Sequence, residues 1–146
     1  MNKMFKEEDG FTLIEIIAIL VVMGILMVVT ISRIISADTY QTSGELDKVT
    51  SHLRYAQGRA IRTDSTWGIR FNNGSTYWLF QNVGTNSVQA TFAGEGSNQV
   101  TLSTLLVTSA PQNITFDRFG SPGAADIIIT TSGGNKTVAA DTGFIP

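Results

Sequence analysis

Few residues of this sequence have the types and spacing that catalysis requires. Asp141-Thr142-Gly143 matches the triplet of proteases that activate water between two aspartates. Such a protease needs two of these triplets in a facing pair, and the sequence contains a single one. We therefore interpret residues 141–143 as a turn.

The sequence also contains few residues that could bind a metal ion or act as a nucleophile. His52 is the only histidine, and the absence of cysteine excludes disulfides, zinc–thiolate sites and thiol nucleophiles. Its spacing from Val49 and Ala56 places His52 beside a predicted apolar helical stripe, and no Ser-His-Asp arrangement is evident. Asp117 and Asp126 match no calcium-binding spacing. We therefore predict no catalytic site, no cofactor and no metal site.

The basic residues concentrate in one part of the sequence. Arg54, Arg59 and Arg62 fall on a predicted helix, and Arg70 falls in the strand that follows. The whole chain nevertheless has a net charge of -2 and a sequence pI of about 5.2. Because this balance gives no general attraction for nucleic acid, we expect no nucleic-acid partner and interpret these arginines as a solvated surface.

A different chemistry is indicated near the N-terminus. Glu15 is the only ionisable residue between Phe11 and Ser32, in a predominantly apolar segment. As a helix this segment would be roughly 33 Å long, enough to cross a hydrocarbon core of about 30 Å. An unpaired charge at membrane depth costs about 2.5–3.5 kcal/mol, and such residues usually have a partner. The segment is therefore predicted to be a transmembrane helix in which Glu15 has a function.

The residues before this segment do not form an ordinary secretory signal. Such a signal has a basic start, an apolar stretch of about 7–15 residues and a cleavage site with small residues. Here the apolar stretch is longer, and residues 1–10 mix lysines with acidic residues. An uncleaved signal anchor is an alternative, but it explains neither Glu15 nor the abrupt junction between Gly10 and Phe11.

The stretch "GFTLIE" (Gly10 to Glu15), followed by the apolar run, resembles the class III signal of type IV pilins and pseudopilins. The resemblance implies that a membrane-embedded prepilin peptidase cleaves between Gly10 and Phe11 and methylates the new Phe11 amine. It also implies a partner for Glu15, namely the Phe11 amine of a neighbouring subunit. Pairing of these charges would draw subunits together and set their register.

Beyond Arg33 the helical pattern becomes amphipathic. One helix is therefore predicted to continue to about Arg62, apolar all round in its first half and packed along one side in its second half. The buried side is predicted from five apolar residues with a 3-4-3-4 spacing: Leu46, Val49, Leu53, Ala56 and Ala60.

From Trp67 onward the apolar period changes to two, which indicates β-strands. Residues 67–71 and 76–81 flank "NNGS", a strong hairpin signal. These strands are expected to be antiparallel and to pack on the apolar stripe of the helix. Further strands are predicted at "SVQATFA", "QVTLSTLLV", "NITFDRF", "ADIIITT" and "KTVAAD".

Two stretches indicate which members of the pilin and pseudopilin family the sequence resembles most. "LRYAQGRAIRTDSTWGIRF" is similar to the helix end and first strand of H-type (GspH/FimT-like) minor pseudopilins, and "ITFDRFGSPG" is similar to their closing strands. The resemblance implies an α+β fold, in which a long N-terminal helix with a membrane-spanning first half packs on an antiparallel β-rich head. We divide the chain into a cleaved leader (1–10), a transmembrane and assembly half of the stem helix (11–32), its amphipathic half (33–64) and the head (65–146).

The resemblance implies a structural filament subunit and not an enzyme. A minor pseudopilin of a type II secretion system is the first interpretation. The second is a minor type IV pilin in pilus priming or DNA uptake, although the tail "VAADTGFIP" lacks the basic residues through which FimT-like uptake proteins bind DNA. The third is a signal-anchored extracytoplasmic enzyme or binding domain.

The implied partners are other pilin or pseudopilin subunits, the prepilin peptidase, an inner-membrane assembly platform and, before assembly, membrane lipid. The implied location is the inner (cytoplasmic) membrane, with a single pass and the head outside the cytoplasm. Assembly would then move the subunit into a periplasmic or surface filament.

Overall fold

The structure is a computed structural model that describes residues 10–146, without the side chains of residues 28–37. The chain divides into two units, Met1–Ala37 and Asp38–Pro146. The predicted leader lies outside the described residues except for Gly10.

Within the described part of the chain, no helix combines the length and the apolar character that crossing a bilayer requires. The predicted transmembrane segment, 11–32, includes residues 28–32, whose side chains lie outside the described residues.

Helix α1 spans Leu13–Thr63, so the prediction of one helix that continues to about residue 62 is confirmed. Its end is fixed by Asp64, which adopts a left-handed φ of 48°. The Ser65 N–H then donates to the Ala60 carbonyl oxygen at 3.4 Å. A residue in this conformation just past the last turn commonly ends a helix, and aspartate tolerates it better than most residues with a side chain.

One stripe of α1 forms a wall of the hydrophobic core. Val49, Leu53, Ala56 and Ala60 are fully buried, and Leu46 packs against them while partly buried. The predicted stripe is therefore confirmed. Full burial of a side chain as large as leucine or valine contributes about 1.5–3 kcal/mol to stability.

The head contains a main antiparallel sheet of five strands. These strands are β1 (Trp67–Asn73), β2 (Thr76–Val83), β3 (Asn86–Ala90), β4 (Val100–Thr101) and β5 (Gln112–Phe116). Their order is β3-β2-β1-β5, and β4 pairs with β2. The predicted β1–β2 hairpin is confirmed, with Asn73 opposite Thr76 across the turn.

A second sheet pairs β6 (Ile127–Thr131) with β7 (Gly134–Val138). Its turn falls within the stretch "SGGN" (132–135), because Thr131 lies opposite Gly134. The core residues Ile129 and Val138 of this hairpin belong to the same buried cluster as the stripe of α1. Both sheets therefore share one hydrophobic core with the helix.

One strand prediction is wrong. The stretch "QVTLSTLLV" (99–107) forms a strand only over Val100–Thr101. From Ser103 to Leu105 the backbone N–H groups donate to the Glu45 carboxylate on α1 and not to a neighbouring strand. The apolar pattern of this stretch therefore indicated burial and not strand pairing. Four of its side chains are in the core: Val100, Leu102, Leu105 and Val107.

Candidate functional site

The bond predicted to be cleaved lies in an exposed, irregular stretch. Gly10 and Phe11 precede Leu13, where the helix begins, and the Phe11 side chain is 76% exposed. Among the described residues, no atom lies within 4 Å of the place where a side chain at Gly10 would stand. Cleavage at this bond remains a prediction, and the described surroundings leave it open to a peptidase.

Glu15 lies in the first turn of α1. Its N–H donates to the carbonyl oxygen of Thr12 at 3.0 Å and to the Thr12 hydroxyl oxygen at 3.3 Å, so Thr12 caps the helix. Within the described part of the chain, the Glu15 carboxylate has neither a hydrogen-bond donor nor an ion-pair partner. It borders a shallow hollow of about 330 Å³ that is otherwise lined by Ala18, Ile19, Val22 and Met23.

The helix surface around Glu15 is apolar and uncovered. Every large apolar side chain from Phe11 to Met27 has between 45% and 78% of its surface exposed. Monomeric soluble proteins rarely expose continuous apolar patches larger than a few hundred Å². This surface therefore requires an apolar environment such as lipid or other helices, and Glu15 is the one ionisable side chain within it.

On α1, His52 is the centre of a polar group that the sequence pattern did not indicate. Its Nδ1 lies 2.8 Å from the Tyr77 hydroxyl, its Nε2 lies 3.8 Å from Glu95, and its ring stacks on Phe92 with centroids 3.9 Å apart. Lys48 binds the same Glu95 carboxylate at 2.7 Å. A hydroxyl, an imidazole and a carboxylate thus stand in series, as in a nucleophilic triad.

Burial shows that this series is structural. The Tyr77 side chain is fully buried, and burial raises the pKa of its hydroxyl well above the usual range, so it is neither accessible nor nucleophilic. Burial also lowers the pKa of His52, although the nearby Glu95 partly opposes this shift. The group holds the loop around Phe92 and Glu95 against α1, and its partners are too far apart in sequence for a local motif to indicate them.

Glu45 holds a second loop against α1. Its carboxylate accepts hydrogen bonds from the backbone N–H groups of Ser103 at 2.8 Å, Thr104 at 3.0 Å and Leu105 at 2.7 Å. Successive N–H groups that converge in this way form a concave anion site. Burial by itself would raise the pKa of Glu45, but the backbone hydrogen bonds together outweigh it and lower that pKa.

Gln57 ties two more loops to the helix. Its Nε2 lies 2.9 Å from the carbonyl oxygen of Gly120, 3.0 Å from that of Gly143 and 3.3 Å from that of Thr142. Gly143 has a φ of 63°, and the interpretation of residues 141–143 as a turn is confirmed. Gln57 therefore links α1 by hydrogen bonds to these two loops, one of which lies near the end of the sequence.

The arginines that we interpreted as a solvated surface have separate local environments. Arg54 donates to the Ile145 carbonyl oxygen at 3.0 Å, whereas Arg62 Nε donates to the carbonyl oxygen of its helical neighbour Gly58 at 3.1 Å. The Arg59 guanidinium stacks over the Trp67 ring at 4.6 Å. Arg70 lies in β1, on the main sheet. The structure therefore gives each arginine its own local role.

The two loop aspartates also have backbone partners. Asp117 accepts hydrogen bonds from the N–H groups of Phe119 and Ser121, each at 2.9 Å, and Asp126 accepts one from Ala140 at 2.7 Å. Among the described residues, no three His, Asp or Glu side chains are grouped so that they could hold a metal ion.

Comparison with known proteins finds similarity to a protein family and to solved structures. The family model described as type II transport protein GspH matches residues 45–143. No curated protein matches the chain.

Solved structures of two other proteins are among those similar to the chain. The type IV minor pilin FimU of Pseudomonas aeruginosa (strain PAO1) is 15% identical, with a TM-score of 0.55 over 73% of this chain and 87% of that chain. The minor pseudopilin EpsH from the Type 2 Secretion System of Vibrio cholerae is 13% identical, with a TM-score of 0.55 over 73% of this chain and 94% of that chain. At this identity the likeness is one of fold, and the predicted α+β fold with an antiparallel β-rich head is confirmed.

Proposed function

The chain belongs to the family of the type II transport protein GspH, and from this premise we propose that it is a minor pseudopilin of a type II secretion system. The family is one of structural minor pilins and pseudopilins, not of catalysts. The proposal assigns assembly to residues 11–32 and assigns contacts outside the membrane to the head.

The observation that supports the proposal most strongly concerns the surroundings of the Glu15 carboxylate. Its carboxylate has no partner among the described residues, and it lies within an exposed apolar helix surface. A lone carboxylate in lipid is costly, whereas a carboxylate paired with the Phe11 amine of a neighbouring subunit is not alone. The apolar surface favours membrane or helix contacts, and Glu15 selects the contact that supplies a positive charge.

The proposed sequence of events follows from these two features. The apolar segment first inserts into the inner membrane, with the head outside the cytoplasm. The prepilin peptidase then removes residues 1–10 and methylates the Phe11 amine. The assembly platform finally moves the subunit from lipid into a filament, where helix packing and the pairing of Glu15 with the Phe11 amine replace lipid contacts.

The experiment compares the chain with Glu15→Leu in cells that contain the partner pseudopilins. We expect Glu15→Leu to be processed and inserted but to be lost from isolated filaments and from complexes purified with its partners. Asp47→Leu, which removes an exposed carboxylate elsewhere on α1, is the control and should be incorporated normally. Normal incorporation of Glu15→Leu would overturn the assembly role.

A minor type IV pilin is the second candidate, and the fold that the chain shares with FimU supports it. Deletion of the gene in its own host separates the two candidates. Loss of exoprotein secretion with intact pili supports the secretion pseudopilin. Loss of pili or of DNA uptake with intact secretion supports the pilin.

A further inference from the structure

The main sheet has an outer face that points away from α1. The inner face buries Ile69 and Phe71 against the helix stripe, so the residues that alternate with them lie outside. On the outer face, Arg70 in β1 stands opposite Trp78 in β2 and opposite Asn113 in β5. These three side chains form one row across three strands.

The next row of the outer face packs beneath the Arg70 side chain and supports it. Gly68 stands opposite Phe80, and a side chain at Gly68 would come within 2.7 Å of the Phe80 ring. The ring therefore fills the space above the glycine, and Phe80 is only 3% exposed although it lies outside the core cluster. An aromatic ring that covers a cross-strand glycine is a recognised stabilising device in sheets.

Arg70 is held in place without being neutralised. Its Cζ lies 5.6 Å from the centroid of the Phe80 ring and 6.0 Å from that of Trp78, within the range of cation–π attraction. Its Nε donates to Asn113 Oδ1 at 2.8 Å. Among the described residues, no carboxylate pairs with Arg70 and no acceptor binds its two Nη atoms. The end of the guanidinium therefore keeps two parallel donors for an external carboxylate.

The space beside Arg70 suits such a group. A hollow of about 330 Å³ adjoins the guanidinium at the end of β1 and the start of β5. Its lining contains amide side chains, which can donate further hydrogen bonds, and contains no acidic residue that would repel an anion. The lining residues are Arg70, Phe71, Asn72, Pro111, Gln112 and Asn113.

We propose that this outer face, with Arg70 and Trp78 as its anchors, binds an aspartate or glutamate side chain on an exposed segment of a partner protein. Three features favour a protein segment as the occupant. Arg70 is the only charged side chain in the two rows, so the face complements a single negative charge. Arginine and tryptophan are the residue types that most often dominate protein–protein contacts. The fixed fork of the guanidinium matches a carboxylate in both charge and shape.

This inference goes beyond the proposed function, because it does not depend on processing, on Glu15 or on the type of filament. It can therefore be tested with the full chain in detergent micelles. The probes are the blocked tripeptides Ac-Ala-Glu-Ala-NH2 and Ac-Ala-Gln-Ala-NH2, together with sodium acetate. The readout is the shift of the Arg70 Nε–H, Trp78 indole N–H and Asn113 signals in ¹H–¹⁵N spectra.

We expect the Glu peptide to shift these signals with saturation, and the Gln peptide to bind about tenfold more weakly because it offers no charge-assisted bidentate contact. Arg70→Gln should abolish the shifts, and Trp78→Ala should weaken binding of the Glu peptide about fivefold, because stacking contributes less than the charge pair. Arg118→Gln is the matched control. Arg118 also stacks on an aromatic ring, at 4.8 Å from Phe119, but it lies 3.9 Å from the carboxylate of Asp64.

Reversal of the charge at position 70 distinguishes loss of the binding site from loss of folding. Arg70→Glu should lose the Glu peptide and gain Ac-Ala-Lys-Ala-NH2, while its spectrum away from the outer face stays unchanged. Three results would overturn the proposal: no shift with the Glu peptide, equal binding of the Glu and Gln peptides, or loss of binding in Arg118→Gln. Acetate that binds as tightly as the Glu peptide would also overturn it, because the site would then recognise any free carboxylate and not a protein segment.

Discussion

The carboxylate of Glu45 accepts a hydrogen bond from the backbone N–H of Leu105 at 2.7 Å. Two preceding N–H groups donate to the same carboxylate. One side chain of α1 thus replaces the strand partner that this segment of the head lacks, and it couples the helix to the loop that follows β4.

Replacement of Glu45 should weaken this coupling. Glu45→Ala leaves three backbone donors without their acceptor, and we expect the free energy of unfolding to fall by about 2–3 kcal/mol. Glu45→Gln keeps one acceptor oxygen and should cost less. Urea unfolding measures both, with Asp47→Ala as an exposed control on the same helix. Equal stability of Glu45→Ala and Asp47→Ala would show that the loop does not depend on this carboxylate.

Gln57 gives a test in which a charge replaces a donor. Its amide nitrogen faces the carbonyl oxygens of Gly120, Thr142 and Gly143. Gln57→Glu would direct a carboxylate at these oxygens, so it should destabilise the head more than Gln57→Ala does at neutral pH, by about 1 kcal/mol or more. Thermal unfolding at pH 7 compares the two variants. A Glu variant at least as stable as the Ala variant would show that the Gln57 amide does not stabilise these loops.

His52 should make stability depend on pH. Burial lowers its pKa in the folded state, against the opposing effect of Glu95. The unfolded chain therefore binds more protons near pH 6.5, and stability is complete above about that pH and decreases as the pH falls toward the folded pKa. Melting temperatures between about pH 5 and pH 7.5 should show this decrease. The decrease should be smaller in His52→Gln, which can still bond to Tyr77 but does not titrate. An identical pH profile in both proteins would assign the effect to other groups.

The sequence predicts those features of the fold that depend on local chemistry. "NNGS" between alternating residues predicts the β1–β2 hairpin, and the 3-4 spacing predicts the buried stripe of α1. Each of these signals lies within one turn or one helix. Periodicity and turn propensity are therefore sufficient to find them.

The contacts that hold the loops could not be predicted in this way. Glu45 and Leu105 are 60 positions apart, Gln57 and Gly143 are 86 apart, and His52 and Tyr77 are 25 apart. Nothing in the local sequence distinguishes these polar side chains from solvated ones. The failed strand prediction at 99–107 has the same cause, because an apolar pattern does not reveal whether a strand or a distant carboxylate binds the backbone.

Residues 38–146 should fold without the apolar segment. This unit contains the whole described hydrophobic core, including the buried stripe of α1. A protein that comprises these residues should be monomeric in solution without detergent, and its circular dichroism should show β-structure with one helix. Aggregation, or a spectrum without β-structure, would show that the head depends on the segment before it.

The central claim is that this chain is processed and assembled as a pilin-like subunit, and the mass of the mature protein tests it most directly. Intact-mass spectrometry of protein extracted from membranes that contain prepilin peptidase should give a chain that begins at Phe11 with one added methyl group. Gly10→Leu, or a host without the peptidase, should leave residues 1–10 in place. Retention of residues 1–10 in the unaltered chain, or cleavage at any other bond, would contradict the claim.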